Sequence, residues 1–293
     1  MTDTLAAHRF VMLHARLIDR RRMDGDPALI RSALAAYRNP DGGFGYLEPD
    51  LPDRGSQPIT ALAALEVLHE IEAAPDDPLM VDPTGWLETV TRPDGGLDFV
   101  LPYDADAIPH APWMTPPAER TSSLHMTAGV TAAAHRAGMG AGPGRACAWL
   151  ERASAYVWGK LDALSPTPGY ETKYVIDFLD AVPDRHRAER VLDAVAKTLG
   201  DRESIPVTGG TAGEVITAVT AAPTPAHAGR RLFDPAAIER QLDELERGQQ
   251  ADGGWTFDWL AWDDAVAWAW RGKLTVDALH TLADNGRLAP MPA

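Results

Sequence analysis

Apolar positions recur at helical spacing along most of this chain. Phe10, Leu13, Leu17 and Ile18 predict a helix over Leu5–Arg20. Asp26-Pro27 starts a second, reaching Tyr37, because proline suits the first helical turn, where its missing N–H would have had no partner. Ile59, Leu62, Leu65, Leu68 and Ile71 supply the stripe of a longer helix that follows Ser56-Gln57-Pro58. Further helices are predicted at Pro78–Val90, Ser122–Arg136, Arg145–Leu164, Tyr170–Leu179, Arg185–Leu199 and Thr211–Val219. A last unit begins at Asp234-Pro235 and resumes as a helix from Asp264 to Ala283. The prolines between 166 and 225 punctuate the middle units. Phe99 to Pro117 carries few helix signals, and a long irregular segment of this kind often lines a functional opening.

The helices are arranged as a repeat. Asp41-Gly42-Gly43-Phe44, Asp94-Gly95-Gly96-Leu97 and Asp252-Gly253-Gly254-Trp255 each separate two helical segments. Asp94 follows Asp41 by 53 residues, and Asp252 follows Asp94 by 158, close to three such intervals. A helical hairpin that cannot bury its own apolar face must stack on its neighbours. The expectation is an all-α protein, an α/α toroid of five or six helical hairpins with inner and outer helices and two degenerate middle repeats. It occupies residues 1–293 as a single domain, since no polar linker divides the chain.

The net charge of −15, from 27 basic and 42 acidic residues, opposes a general nucleic-acid-binding surface. Cys147 is the one cysteine, so an intrachain disulfide and a multi-thiolate metal cluster are both excluded; its apolar neighbours place it in the core. The N-terminus lacks the features of a signal peptide, and no apolar run reaches the length of a membrane span. A cytoplasmic protein is expected, and composition leaves room for peripheral membrane contact.

Candidate chemistry concentrates between Gln249 and Ala265. Trp255, Phe257, Trp259, Trp262, Trp268 and Trp270 crowd into this stretch and the helix after it. Asp263 and Asp264 stand where a loop becomes a helix. A carboxylate there can cap the first-turn N–H groups and gain from the helix dipole. Alternatively, one of the pair is kept protonated, because a neighbouring negative charge and burial among indoles both oppose ionisation. Aromatic faces stabilise cations, and also simply fill cores. An acid beside aromatic rings is the equipment for a carbocation reaction.

Here the chain resembles the terpenoid cyclase and protein prenyltransferase superfamily, whose helical hairpins form an α/α toroid around an apolar cavity. Asp-Gly-Gly-Trp, with Gln249 or Gln250 before it, is similar to that family's glutamine–tryptophan motif. Gly253-Gly254-Trp255-Thr256-Phe257 followed by Ala261-Trp262-Asp263-Asp264 resembles the squalene–hopene cyclase element that leads to Asp-x-Asp-Asp. The resemblance implies Asp263 as proton donor and Asp264 as its neighbour, with Ala261 in place of the motif's first aspartate.

Other groups compete. Glu48, Asp50 and Asp53 follow the first glycine turn, and Asp98, Asp104 and Asp106 the second; these read as solvated loop charges at one rim. Asp104-Ala105-Asp106-Ala107 is a partial acid motif, and neither a magnesium–diphosphate motif nor a plausible zinc set is present. His110 and His125 read as structural. Glu171 and Glu214 stand near two inner-helix starts, as caps or as charge at a cavity mouth. Tyr170 and Tyr174, four apart, share a helix face and are candidates to line a substrate space or to fill the core.

The leading expectation is a class-II-like terpene cyclase, an isomerase- or lyase-type enzyme that protonates a small isoprenoid or other apolar polyene. Asp263 and Asp264 would supply acid, and Trp255, Phe257, Trp259, Trp262, Tyr170 and Tyr174 the substrate wall. No cofactor and no metal are required. The alternatives are a non-catalytic toroid that binds an apolar ligand or a partner, favoured by Ala261, and a carbohydrate-active toroid with paired acids across an open groove.

Overall fold

The computed structural model describes residues 2–140, 147–163, 166–200, 202–208, 210 and 213–288. Among them are twelve α-helices, and the protein is all-α in class. They are α1 (Thr4–His14), α2 (Leu17–Asp24), α3 (Pro27–Ala35), α4 (Pro58–Glu70), α5 (Pro78–Val90) and α6 (Leu124–Arg136). After them come α7 (Ala148–Ala163), α8 (Tyr170–Ala181), α9 (Arg185–Thr198), α10 (Ala218–Ala221), α11 (Pro235–Arg247) and α12 (Asp264–Asp284). Apart from an isolated antiparallel bridge between Arg38 and Phe44, strand pairing among the described residues is limited to two antiparallel ribbons. One pairs β1 (Leu97–Asp98) with β2 (Ser122–Ser123), the other β3 (Ser204–Pro206) with β4 (Val215–Thr217). None of the helices is long and apolar enough to cross a membrane.

Helix starts follow the sequence signals. In three Asp-Pro pairs the aspartate accepts a first-turn N–H: Asp26 from Ala28 at 2.8 Å, Asp77 from Leu79 and Asp234 from Ala236 at 2.9 Å each. The proline after it needs no partner. Two predicted helices differ. Leu5–Arg20 breaks at Ala15, whose extended backbone separates α1 from α2 and lets its Cβ lie against Gly272. Thr211–Val219 is mostly not helical. The β-branched run Val215-Ile216-Thr217 pairs as a strand, only the four residues of α10 follow, and Thr211 lies outside the described residues. The outer ends of the predicted Arg145–Leu164 helix, Arg145, Ala146 and Leu164, also lie outside them.

The chain forms two compact units. The first joins the N-terminal segment up to Ala33 with the chain from Leu192 onward, so that both ends of the sequence share one core. There Ala7, Phe10 and Val11 of α1 pack with Trp255 and with Val276, Leu279 and Leu282 of α12. A chain of alternating charges ties α2 to α12: Arg16 to Asp19 at 2.8 Å, Arg22 to Asp19 at 3.7 Å and to Asp277 at 3.0 Å, and Lys273 to Asp277 at 2.5 Å.

In the second unit, from Leu34 to Val191, α6 packs between α4 and α8. Its run Met126 to Ala134 is wholly buried, which explains why it is built of Ala, Gly, Thr, Val and Met. Small side chains permit close helix approach, and the buried Thr131 returns its hydroxyl to the Thr127 carbonyl at 2.7 Å.

The three Asp-Gly-Gly turns are built alike. In each, the aspartate accepts the N–H of the second glycine: Asp41 from Gly43 at 2.9 Å, Asp94 from Gly96 at 3.1 Å and Asp252 from Gly254 at 3.1 Å. The first glycine has φ of +93°, +90° or +95°. It also lies against the backbone of a helix: Gly42 on Asp82 of α5, Gly95 on Arg152 of α7, Gly253 on Ala6 of α1. The repeat read from spacing is thus a repeat of hydrogen bonds.

Candidate functional site

The aromatic stretch of the C-terminal repeat does not form one wall. Trp255 belongs to the core, with its indole N–H donated to the Leu245 carbonyl at 2.7 Å. Phe257 and Trp259 stack at 4.6 Å, and Trp270 meets Trp259 edge-on at 5.3 Å. Trp268 stacks instead on His14 at 4.5 Å. Of the four side chains of this stretch expected on the substrate wall, Trp255 is therefore in the core, Phe257 and Trp259 are in a stack, and Trp262 is half-buried.

Asp263 and Asp264 are exposed, which corrects the expectation of an acid enclosed by indoles. Asp263 is the N-cap of α12, and its carboxylate accepts from Ala265 N at 2.8 Å and Val266 N at 3.3 Å. Asp264 sits in the first turn, where a negative charge complements the helix dipole. Asp263→Ala should cost about 1 kcal/mol of stability through the lost cap, measurable as a shift in the urea midpoint.

The acidic loops are corrected in the opposite sense. Glu48, Asp50, Asp53 and Asp98 are buried, while Asp104 and Asp106 are exposed. Asp98 is held by Arg120 at 2.7 Å and Arg92 at 3.7 Å. Asp50 accepts the Trp113 indole N–H at 3.1 Å, and its carbonyl accepts from Ala111 at 2.8 Å. Glu48 Oε1 accepts the Asp50 N–H at 3.2 Å. Gln57 clamps Leu101 from both sides, at 2.8 and 3.3 Å. Loop 45–56 and the irregular segment 99–117 are therefore one bonded layer. Burial, with Asp53 adding to it, pushes the Tyr103 phenol up to about 12. The alternation of acids with Pro, Leu and Tyr gave no signal of this, because the partners come from a loop some 50 residues away in the repeat.

Tyr170 and Tyr174 do come together, and with a residue read as structural. His125, one residue into α6, stacks on Tyr174 at 4.8 Å and Tyr170 at 6.1 Å, with Phe99 tilted against it at 5.1 Å. Gly129 makes the room: a Cβ there would meet the Tyr174 ring at 2.9 Å. His125, Tyr174 and Phe99 are half-buried, and Tyr170 is exposed. Desolvation, with Lys173 adding to it, brings the His125 imidazole down to about 4. Tyr174 is raised well above the usual phenol range by desolvation and by Glu66, Asp177 and Glu48. Lys173 lies 4.3 Å over the Tyr174 ring and pairs with Asp177 at 2.9 Å.

The low His125 value has a thermodynamic consequence. Between about pH 4 and 6.5 the unfolded chain binds a proton at His125 that the folded protein does not. Stability from this group is therefore present above pH 6.5 and is lost as pH falls through that window. The expected loss between pH 7 and 4.5 is roughly 2 kcal/mol. Urea unfolding at the two pH values checks it, with His125→Asn losing that much less.

The remaining candidates are structural in their contacts. His110 bridges Ile108 O at 2.8 Å and Thr115 Oγ1 at 3.1 Å. Glu171 accepts from Thr167 N at 2.6 Å, and Glu214 lies against Gly210 in the loop before β4. Cys147, expected in the core, is only half-buried just before α7, and burial raises its thiol. Among the described residues no group of three or more His, Cys, Asp or Glu could hold a metal ion.

Over 96% of its length the chain is similar to the crystal structure of a protein from Actinoplanes, with a TM-score of 0.56, 16% identity and all of that chain covered. It is also similar to the type II terpene cyclase MstE from Scytonema, in an aspartate-to-alanine variant bound to its product merosterolic acid A. That match has a TM-score of 0.53 and 14% identity, and covers 96% of each chain. No family model matches the sequence, and no curated protein matches it. The likeness establishes a terpenoid-cyclase-like fold.

Proposed function

We propose that this protein takes up a small apolar, isoprenoid-type ligand at the aromatic cluster of Phe99, His125, Tyr170 and Tyr174 and acts on it as a class-II-like cyclase. The observation that carries the reading is the gathering of the other three rings about His125, at 4.8 to 6.1 Å, with their faces only partly covered. Apolar sites are concave, mostly aromatic and aliphatic, and carry few polar groups. Aromatic faces are also suited to a cationic intermediate, and Tyr174 already holds an ammonium group over its ring. The terpenoid-cyclase-like fold is consistent with this class of ligand, and so is the product bound by MstE.

The acid is better sought at Glu48 than at Asp263. A group that protonates an alkene must be kept from bulk water, and Glu48 is buried with its charge felt at Tyr174. Asp263 is exposed and occupied with the end of α12. A second reading, a non-catalytic carrier of the same ligand, is favoured by Ala261 and by that exposure.

Incubation with farnesol, geranylgeraniol and their epoxides, with product analysis and parallel binding measurements, tests the proposal. Cyclised products from wild type support the enzyme. Binding without products, weakened at least tenfold by Tyr174→Ala, supports the carrier. No binding of any apolar chain would refute both.

A further inference from the structure

The three Asp-Gly-Gly turns share more than their internal hydrogen bonds, because each is covered by a helix in the same way. The first glycine faces a helix carbonyl, that of Asp82, Arg152 or Ala6. The second faces the aromatic ring four residues further along the same helix. A Cβ on Gly43 would meet Trp86 at 2.8 Å, one on Gly96 would meet Tyr156 at 2.9 Å, and one on Gly254 would meet Phe10 at 2.6 Å. Only glycine lets the backbone come so close to a carbonyl and a ring. The residue three before the turn's aspartate then ties the turn to the covering helix. Arg38 pairs with Asp82, and Thr91 accepts the Trp149 indole N–H at 2.8 Å. Gln249 makes two bonds of 2.8 Å to the backbone of Asp3, the N-cap of α1.

Chain order differs in one of the three copies. The first turn is followed by α4 and then by α5, which covers it. The second is followed by α6 and then by α7, which covers it. The third is followed by α12, and among the described residues no helix comes after that one. Its cover is α1, which packs along α12 as α5 does with α4 and α7 with α6.

We infer that α1 does for the C-terminal repeat what α5 and α7 do for the first two, and that it acts as a clasp on the Asp252 turn and the start of α12. This holds whatever ligand the protein takes. Phe10 is the pin of the clasp. Its ring lies on Gly254, with the Arg271 guanidinium 4.6 Å from its centroid and the Trp268 ring at 6.1 Å. Arg271 in turn donates to the Asp252 carboxylate at 2.8 Å and to the Trp255 carbonyl at 3.1 Å. Release of α1 strips the turn of its cover and Arg271 of its stacking partner. The order of the segment around Trp255 therefore depends on a helix some 245 residues away in sequence.

Hydrogen exchange in point variants and a reordered chain test the clasp. In full-length Phe10→Ala, the amides of α1, Gly254 and Trp255 should all exchange at least about tenfold faster than in wild type, and to the same extent. Gly43 and Gly96, whose covers are α5 and α7, should keep their wild-type rates. Phe10→Leu removes less of the side chain; it should show the same pattern more weakly and guards against global unfolding of the alanine variant. The reordered chain joins Ala293 to Met1 through glycine–serine linkers of graded length and opens the sequence between Gly25 and Asp26. That cut leaves the C-cap of α2 and the Asp26 cap of α3 in place. Its order, turn then α12 then α1, matches the other two repeats. With at least one linker it should give the circular dichroism of wild type, a urea midpoint within about 0.5 M of it, and wild-type exchange at Gly254. Exchange of α1 that is uncoupled from Gly254 and Trp255, or equal acceleration at Gly43 and Gly96, would overturn the clasp. Failure of the reordered chain to fold with every linker would show that α1 does not belong after α12, and would overturn it too.

Discussion

Gly253→Ala is expected to destabilise the protein by more than about 3 kcal/mol, enough to leave much of it unfolded at 37 °C. Two separate costs combine there. At φ of +95° an L-residue is strained whatever surrounds it. In addition, a Cβ would stand 2.4 Å from the carbonyl oxygen and 2.5 Å from the carbonyl carbon of Ala6. Those are backbone atoms of α1 and cannot rotate out of the way, so relief would require α1 to move off the core it shares with Trp255 and Leu279. Gly286→Ala is the control. Its φ of +70° imposes strain, but a Cβ there meets nothing within 4 Å. That variant should lose only about 1 kcal/mol. Guanidinium midpoints of the two variants, compared with wild type, separate conformation from close approach. Similar losses in both would mean that the turn does not need contact with α1.

The same turn shows what a sequence of this kind makes legible. Asp-Gly-Gly is readable because its parts are local: the aspartate bonds two residues ahead, and glycine supplies the positive φ. The Asp-Pro helix starts are local in the same way. From these the all-α class and the repeated hairpin followed. The candidate site was legible only in part. Tyr170 and Tyr174 could be paired from their spacing, but His125 reaches them across two helices, and only Gly129 hints at the close approach. Glu48 and Asp50 have the composition of a solvated loop, and their burial is created by Trp113, Ala111 and the Gln57–Leu101 clamp, all distant in sequence. Asp263 was ambiguous by nature, since a cap and an acid need the same residue at the same helix start; the backbone geometry of α12 is what gives it the capping bonds. Val215-Ile216-Thr217 misled for a further reason: its strand depends on a partner at Ser204–Pro206.

Glu48→Gln is expected to reduce turnover of a polyprenyl substrate by at least 10²-fold, with ligand binding within threefold of wild type. Glutamine keeps the size and the acceptor oxygen that Asp50 N–H uses, so loop 45–56 should hold its place. What it removes is a carboxylic proton. Proton transfer by a positioned acid typically contributes 10²–10⁴-fold, or about 3–5 kcal/mol of barrier. Asp263→Asn makes the opposite case. An asparagine can still accept from Ala265 and Val266 at the start of α12, so neither stability nor turnover should change more than about threefold. Single-turnover rates and binding constants for both variants, with circular dichroism to confirm folding, separate the two assignments. Loss of turnover in Asp263→Asn with Glu48→Gln unaffected would return the acid to the start of α12. In that event the exposed cap would have to become enclosed when ligand binds, a change that hydrogen exchange at Ala265 and Val266 would register. Full activity in both variants would leave neither carboxylate as the proton source. The buried Asp53, whose charge acts on Tyr103 in the same layer, would then be the next acid to replace.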